Sequence, residues 1–453
     1  MVVPDAAGLL VRQSEVISAL SRAVDLTEGQ PMGHAARSCM IGMRLAADVG
    51  LDAADRSALF YALLLKDVGC SSTAARVSQL LGGDDLEFKA GLKRIDWNRP
   101  SQTVRHIAGS TAGSPVARVR RMAAVARDGA RLGEELVGLR CDRGARILQL
   151  LEFPDATVVA MASADEHWDG RGKPAGLRGE EISPLGRIVA LAQTAEVFFA
   201  AGGRDAAADV ARRRRGTWFD PALVTAFERI AADAAFWRLV ASPGGTAHVA
   251  AMEPAERVVL ADDDRLDLIA EAFARVVDAK SPFTSRHSER VAETAVGIAG
   301  VLGLGPQECR DLRRAGLLHD LGKLGVPNSV LDKPGRLTPA EWEVMRRHPA
   351  HTAEVLAHVE CLRPIAGTAA SHHERLDGSG YHRGLDAEAL PLPARILAVA
   401  DVYDALANDR PYDSAMPLDR VLAILDADAG TRLDGRSIAA LRELLQSGAE
   451  LAA

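Results

Sequence analysis

Leu317-Leu318-His319-Asp320-Leu321-Gly322-Lys323 ends an apolar helical run with a histidine, an aspartate and, three residues after the aspartate, a lysine. Ionisable side chains buried without partners are costly or change protonation state. A metal ion would satisfy the imidazole and the carboxylate together, and a phosphate would satisfy the lysine. The plain alternative is a helix C-terminus with a solvated polar tip. The rest of the second half tips the balance, because it supplies the other ligands such a site needs.

Those ligands come in order. His287 begins a helix after the turn Ser281-Pro282-Phe283-Thr284. Thr338-Pro339-Ala340-Glu341 reads as a capping box with proline at the first helical position, and starts a helix carrying His348 and His351. His372 and His373 end a further helix, just before the loop Asp377-Gly378-Ser379-Gly380. Asp401 sits inside an apolar helix, with Tyr403 and Asp404 read as packing and capping groups, and His351 and His358 as surface residues. Facing helices of a bundle are where such side chains converge on metals, and mixed imidazole and carboxylate ligands suit first-row transition ions. Five histidines (His287, His319, His348, His372, His373) and two aspartates (Asp320, Asp401) exceed the needs of one ion, so two are expected, with one carboxylate bridging. Paired metals activate water against phosphoesters, and Lys323 is placed to hold a phosphate oxygen.

The first half repeats this order. One shift lays His287 on His34, His319 on Lys66 and Asp278 on Asp25; a second lays Asp377-Gly378-Ser379-Gly380 on Asp169-Gly170-Arg171-Gly172 and Arg395 on Arg187. Shared registers of this kind mark an internal repeat. The first copy is the longer, with an Arg-rich, mainly helical insert placed between about 71 and 163. The expected organisation is all-α, two tandem helical bundle domains over 1–240 and 262–453, joined by a Gly/Pro-rich linker over 241–261. The run Arg212-Arg213-Arg214-Arg215 reads as a solvated helix end.

Composition sets the outer bounds. The chain has 453 residues, 48% of them hydrophobic, enough for two cores, and a net charge of −7 that argues against a general nucleic-acid or membrane-surface binder. Five scattered cysteines without a CxxC pair suggest reduced thiols and a cytoplasmic setting. No apolar run is long enough to be read as a membrane span.

From about 266 to 434 the chain resembles the HD-GYP domain, a branch of the HD phosphohydrolase superfamily. The likeness is carried by His287-Ser288-Glu289-Arg290-Val291, His319-Asp320 with Gly322-Lys323, His348-Pro349, His372-His373-Glu374, Asp377-Gly378-Ser379-Gly380-Tyr381 and Val399-Ala400-Asp401-Val402-Tyr403-Asp404. The resemblance implies an all-helical bacterial signalling hydrolase that binds two or three metals, often iron or manganese. It implies hydrolysis of a cyclic dinucleotide, above all cyclic di-GMP, to a linear dinucleotide or GMP. By position it implies one ion on His287, His319, Asp320 and Asp401, and a second on Asp320, His348, His372 and His373. Lys323 would contact the scissile phosphate, and Gly380, Tyr381 and Arg410 the substrate. Phe283 stands where three-metal members carry glutamate, which points to two ions. His382 replaces the proline of the signature triplet, and Asp413 stands where a basic residue is usual.

The first half resembles the same domain with its site lost: Lys66 for His319, Cys70 for Lys323, Ala164-Asp165 for His372-His373 and Gln193 for Asp401. Such a copy serves as a scaffold, a dimerisation surface or a sensor, and a homodimer is a candidate assembly. The leading expectation is a metal-dependent cyclic-dinucleotide phosphodiesterase, with no DNA, RNA or membrane partner. The alternatives are a hydrolase of another nucleotide phosphoester and a catalytically weak nucleotide-binding scaffold.

Overall fold

The computed structural model describes residues 10–242, 248–408 and 415–448. The chain divides into two compact units, Met1–Asp263 and Asp264–Ala453. Both are helical. Among the described residues, strand pairing consists of Val11–Arg12 against Leu260–Ala261, an antiparallel pair within the first unit, and four isolated single-residue bridges.

In the second unit, helix His287–Val301 packs against Pro306–Leu318, Leu392–Ala407 and Gly435–Gln446, and Pro306–Leu318 packs against Arg363–Ala370. In the first unit, His34–Asp48 packs against Ala53–Leu65, Pro184–Arg213 and Pro221–Ala232, and Ala53–Leu65 against Asp155–Ala162. The two sets correspond helix for helix. Apolar residues at helical spacing build each core: Val291, Ala295, Ile298 and Ala299 lie fully inside the second, and Ile41, Leu45, Leu59 and Leu63 inside the first. Each such leucine or isoleucine contributes roughly 1.5–3 kcal/mol on burial.

The helix starts follow the sequence signals. Asp52, Ser114, Thr338 and Asp434 each accept a backbone N–H of the turn they open. The capping box at Thr338 is present, but the expected single helix through His348 and His351 is two, Pro339–Met345 and His348–Ala357. Pro349 is the reason: its ring excludes a continuous helix and restricts the residue before it.

Three further expectations change. The linker stretch read as 241–261 lies partly outside the described residues, and its remainder belongs to the first unit: Val249 is buried, Glu253 accepts the Tyr61 hydroxyl at 2.6 Å, and Leu260–Ala261 pairs as above. One helix, Pro184–Arg213, is long and apolar enough to cross a membrane by length and composition. It is mostly buried inside its unit and leaves helical geometry at Gly202 and Gly203. The insert closes earlier than expected. A Cβ on Gly322 would meet the His348 carbonyl oxygen at 2.0 Å, and a Cβ on Gly69 would meet that of Arg140 at 2.0 Å. Arg140 therefore stands where the second unit has His348, and the second register already holds there.

Candidate metal centre

Asp320 lies at the centre of the second unit's polar interior, 2% exposed. The residues around it arrive from five segments. His287 opens its helix; His319 and Asp320 follow Pro306–Leu318; His348 opens His348–Ala357; His372 and His373 follow Arg363–Ala370; Asp401 lies within Leu392–Ala407. The glycine between Asp320 and Lys323 is required by the close approach to His348. Thr352 ties the same two segments, accepting the Gly322 N–H and donating to the His319 carbonyl, both at 2.9 Å.

The carboxylate of Asp320 faces two groups. Its Oδ2 is 3.4 Å from His287 Nε2 and 3.3 Å from His319 Nε2; its Oδ1 is 3.5 Å from His348 Nε2 and 3.6 Å from His372 Nε2. Asp401 Oδ1 stands 3.5 Å from His287 and 3.9 Å from His319, and its Oδ2 3.8 Å from His373. Ligand atoms of His287, His319 and Asp401 lie within 4.8 Å of one another, as do those of His348, His372 and His373. The structure thus brings together all seven residues singled out from the sequence.

The imidazole tautomers are set by the ring nitrogens that face outward. Nδ1 of His319, His348 and His372 donates to the carbonyls of Gly316, Met345 and Ala369 at 2.6, 2.8 and 2.6 Å. Nδ1 of His287 bonds a carboxylate of Asp404 at 2.6 Å. A carbonyl only accepts, so those three Nε2 atoms carry lone pairs pointing inward. His348 Nε2 and His372 Nε2 face each other at 3.1 Å, an arrangement of two lone pairs that a cation resolves. His287 Nε2, His319 Nε2 and Asp320 Oδ1 are buried without a hydrogen-bond partner. The donor set and its orphaned atoms fit a cation-binding centre.

The electrostatics agree. Burial pushes His348 down to about 4 and holds His372 and His373 well below the ordinary imidazole range, so these rings are neutral. Burial acts the same way on His287, but the carboxylates of Asp320, Asp404 and Asp401 outweigh it and raise that ring to about 9. Burial also disfavours ionised Asp320 and Asp401, yet the surrounding imidazoles, with Lys323 beside Asp320, keep both ionised. This end of the interior is built for positive charge.

Lys323 Nζ is 2.5 Å from Asp320 Oδ2. The Tyr381 ring lies 4.8 Å from that of His373, and its backbone N–H donates to the His373 carbonyl. Burial raises the Tyr381 phenol, which stays protonated. A Cβ on Gly380 would meet Glu374 Cα at 2.4 Å. Arg410 and Asp413 lie outside the described residues. Phe283 is exposed, and His351 and His358 take no part in the centre.

Two further carboxylates, Asp404 and Glu374, hold parts of the centre in place. Asp404, taken as packing, also accepts from Arg290 Nε at 2.6 Å and so fixes the His287 ring. Glu374 accepts the backbone N–H groups of Arg383 and Leu385 at 2.7 and 3.0 Å and so shapes the loop holding Gly380 and Tyr381. The repeat contained the signal for both. In the first unit Glu196 pairs with His34 and Arg37, and Glu166 accepts from Ala175 and Leu177, the same contacts shifted.

The first unit keeps that framework and exchanges the interior. Lys66 pairs with Asp67 Oδ2, and Lys93, from the insert, lies 3.1 Å from Asp67 Oδ1 and 3.1 Å from Glu28. Arg140, in the place of His348, pairs with Asp165, in the place of His373. A separate group of Glu28, Asp67 and Cys70 has metal-like spacing. Burial raises the Cys70 thiol well above its ordinary range, and the lysines already neutralise both carboxylates.

Comparison with known proteins follows the same lines. An HD domain family model matches residues 121–223 and 271–437. The chain is 39% identical over 434 residues to 3'3'-cGAMP-specific phosphodiesterase 3 of Vibrio cholerae, covering 95% of this chain and 94% of that one. A crystal structure titled as a cyclic GMP-AMP specific phosphodiesterase of V. cholerae superposes with a TM-score of 0.67 at 35% identity, covering 97% of this chain and 98% of that chain. A cyclic di-GMP phosphodiesterase response regulator of Xanthomonas campestris is 46% identical over 171 residues, 37% of this chain and 45% of that one. The chain belongs to the HD domain family, as two tandem copies of the HD-GYP type, of which the second carries the clustered histidines and aspartates and the first keeps only His34 and Asp67 of them.

Proposed function

We propose that the second unit hydrolyses a phosphodiester of a cyclic dinucleotide, using two divalent transition-metal ions, iron or manganese, and that the first unit is a non-catalytic partner to it. One ion would rest on His287, His319, Asp320 and Asp401, the other on Asp320, His348, His372 and His373. The observation that carries this reading is the inward lone pairs of the histidines about the two oxygens of one buried aspartate. When bound, such a pair activates a water and offsets the charge that develops on the phosphate.

The chain's own groups do the rest. Backbone carbonyls and Asp404 hold the rings in one tautomer and orientation. Lys323 exchanges its contact with Asp320 for a non-bridging phosphate oxygen. The protonated Tyr381 offers a hydrogen bond beside it, on a loop whose course Glu374 fixes. Water adds across one P–O bond, the ribose oxygen leaves with a proton, and the ring opens to a linear dinucleotide.

The substrate named from sequence was cyclic di-GMP. The relative that matches nearly the whole chain is named for 3'3'-cGAMP, which favours 3'3'-cGAMP as the first substrate to test. The relatives of the second half named for cyclic di-GMP keep that substrate as the second reading. The test is elemental analysis of anaerobically purified protein, followed by chromatography of both cyclic dinucleotides after incubation with it. The expected result is about two transition-metal ions per chain, turnover of at least one substrate, and loss of both in Asp320→Ala. Metal-loaded protein that opens neither ring would end the proposal.

A further inference from the structure

The four-arginine run read as a solvated helix end divides on folding. Arg212, Arg213 and Arg215 are exposed, whereas Arg214 turns inward and is 7% exposed. Its guanidinium carbon lies 3.7 Å from the centroid of Trp218, and Nη2 donates to the Ile95 carbonyl at 2.9 Å. Nη1 is buried without a partner, and no aspartate or glutamate among the described residues forms an ion pair with this group. Burial pushes it down to about 10, Arg213 and Arg99 push the same way, and Asp96 opposes them. A buried cation without a counter-ion is costly, and the surroundings deepen the cost.

Arg214 lines a concave pocket of about 470 Å³ together with Arg94, Arg99, Arg171, Arg213 and Asp96. Arg99 is paired with Asp96 at 3.2 Å, and Arg171 with Asp169 at 2.6 Å. Arg94, Arg213 and Arg214 keep unbalanced charge among the described residues. Trp218 cannot stack a base here, because His167 covers one face at 3.9 Å between centroids and Arg214 the other. The pocket therefore reads charge and hydrogen-bond acceptors, not an aromatic ring.

We propose that this pocket of the first unit binds a phosphoryl anion, either inorganic phosphate or the terminal phosphate of a nucleotide, with Arg214 as its inner contact. The site is particular to the first unit. Gly216-Thr217-Trp218-Phe219-Asp220 and Gly430-Thr431-Arg432-Leu433-Asp434 form the same turn in the two units, which lays Arg214 on Asp428, and the second register lays Arg171 on Ser379. It is separate from the candidate metal centre and stands whether or not that centre is catalytic.

The test is calorimetric titration of the metal-free full chain, in phosphate-free buffer, with inorganic phosphate and with a 5'-phosphorylated linear dinucleotide. Saturable uptake of either probe is expected, and the probe that saturates at the lower concentration identifies the source. Arg214→Gln should raise the half-saturating concentration by about tenfold or more, the worth of one charged hydrogen-bonding group. Arg94→Gln with Arg213→Gln alters only exposed side chains and should weaken uptake in the same direction, which guards against misfolding of the first variant. Arg442→Gln, at a surface ion pair of the second unit with Asp426, should leave the curve unchanged. Uptake of neither probe, or uptake that survives both arginine variants, would overturn the proposal.

Discussion

Asp67 and Asp320 occupy the same point of the repeat and are both buried, yet they are balanced by different means. Around Asp320 stand three imidazoles with inward lone pairs, those of His319, His348 and His372, together with the raised His287 ring and a single ammonium group, Lys323, on Oδ2. Around Asp67 stand two ammonium groups, Lys66 on one oxygen and Lys93 on the other. The second unit leaves one oxygen of its aspartate and the facing imidazole nitrogens to be satisfied from outside; the first covers both oxygens with lysines of its own chain. Three supports of the interior are common to both: the acid that orients the first histidine, the glutamate that shapes the loop, and the arginine that ties helix to aspartate, Arg187 with Asp220 and Arg395 with Asp434. The framework is thus a property of the fold, and the chemistry resides in a handful of substitutions within it.

The sharpest way to break this comparison is to remove each aspartate in turn. Asp320→Ala should lower kcat/KM by about a thousandfold or more, roughly 4 kcal/mol of transition-state stabilisation, and empty the metal content. Asp67→Ala should leave metal content unchanged but destabilise the first unit by about 3–5 kcal/mol, because buried Lys66 loses its partner and Lys93 keeps only Glu28. Urea unfolding measures the second effect. Pairing Lys66→Met with Asp67→Leu should recover most of that loss; equal destabilisation in the double variant would show that the lysines are not the balancing charges.

Acid should also probe the packing of the first unit. Burial pushes His167, stacked on Trp218, down to about 4. Its folded value lies below the unfolded one, so the unfolded chain takes up the proton first. The associated stability is complete above about 6.5 and is lost as pH falls toward 4, by roughly 3 kcal/mol. His167→Phe should flatten that part of the pH–stability curve. The second unit has Arg375 at the matching position and no equivalent slope from it.

The smallest expected effect concerns the orienting acids. Asp404→Asn should weaken metal retention or turnover about 10–100-fold by loosening the His287 ring. Glu196→Gln, its counterpart, should change the first unit's melting and leave metal content alone. Equal effects on metal content would erase the distinction between the two interiors.

Much of this was legible in the sequence because the signals are local. A helix start was marked by Thr338 with Glu341, and the metal-centre residues by helix ends that carry histidine where solvent-facing groups are usual. The repeat registers placed Lys66 opposite His319 before any coordinates. The structure adds what depends on distance along the chain. Arg214 is buried because Trp218 and Ile95 meet it from elsewhere, which a four-arginine run cannot reveal. Lys93 reaches Asp67 from an insert with no counterpart to compare. Asp404 looked like a capping residue because its partner, His287, is more than a hundred positions away. The broken helix before His348 was the exception: Pro349 announced it.

The lysine pair on Asp67 has one more consequence. An ammonium group is covalently tethered and cannot be chelated, oxidised or exchanged. Conditions that strip transition metals from the cell would act on the second unit's interior and find nothing to remove in the first. On the proposed two-metal reading, the protein joins a half whose charge balance is fixed at synthesis to a half that follows metal supply, and the two would age differently under the same conditions.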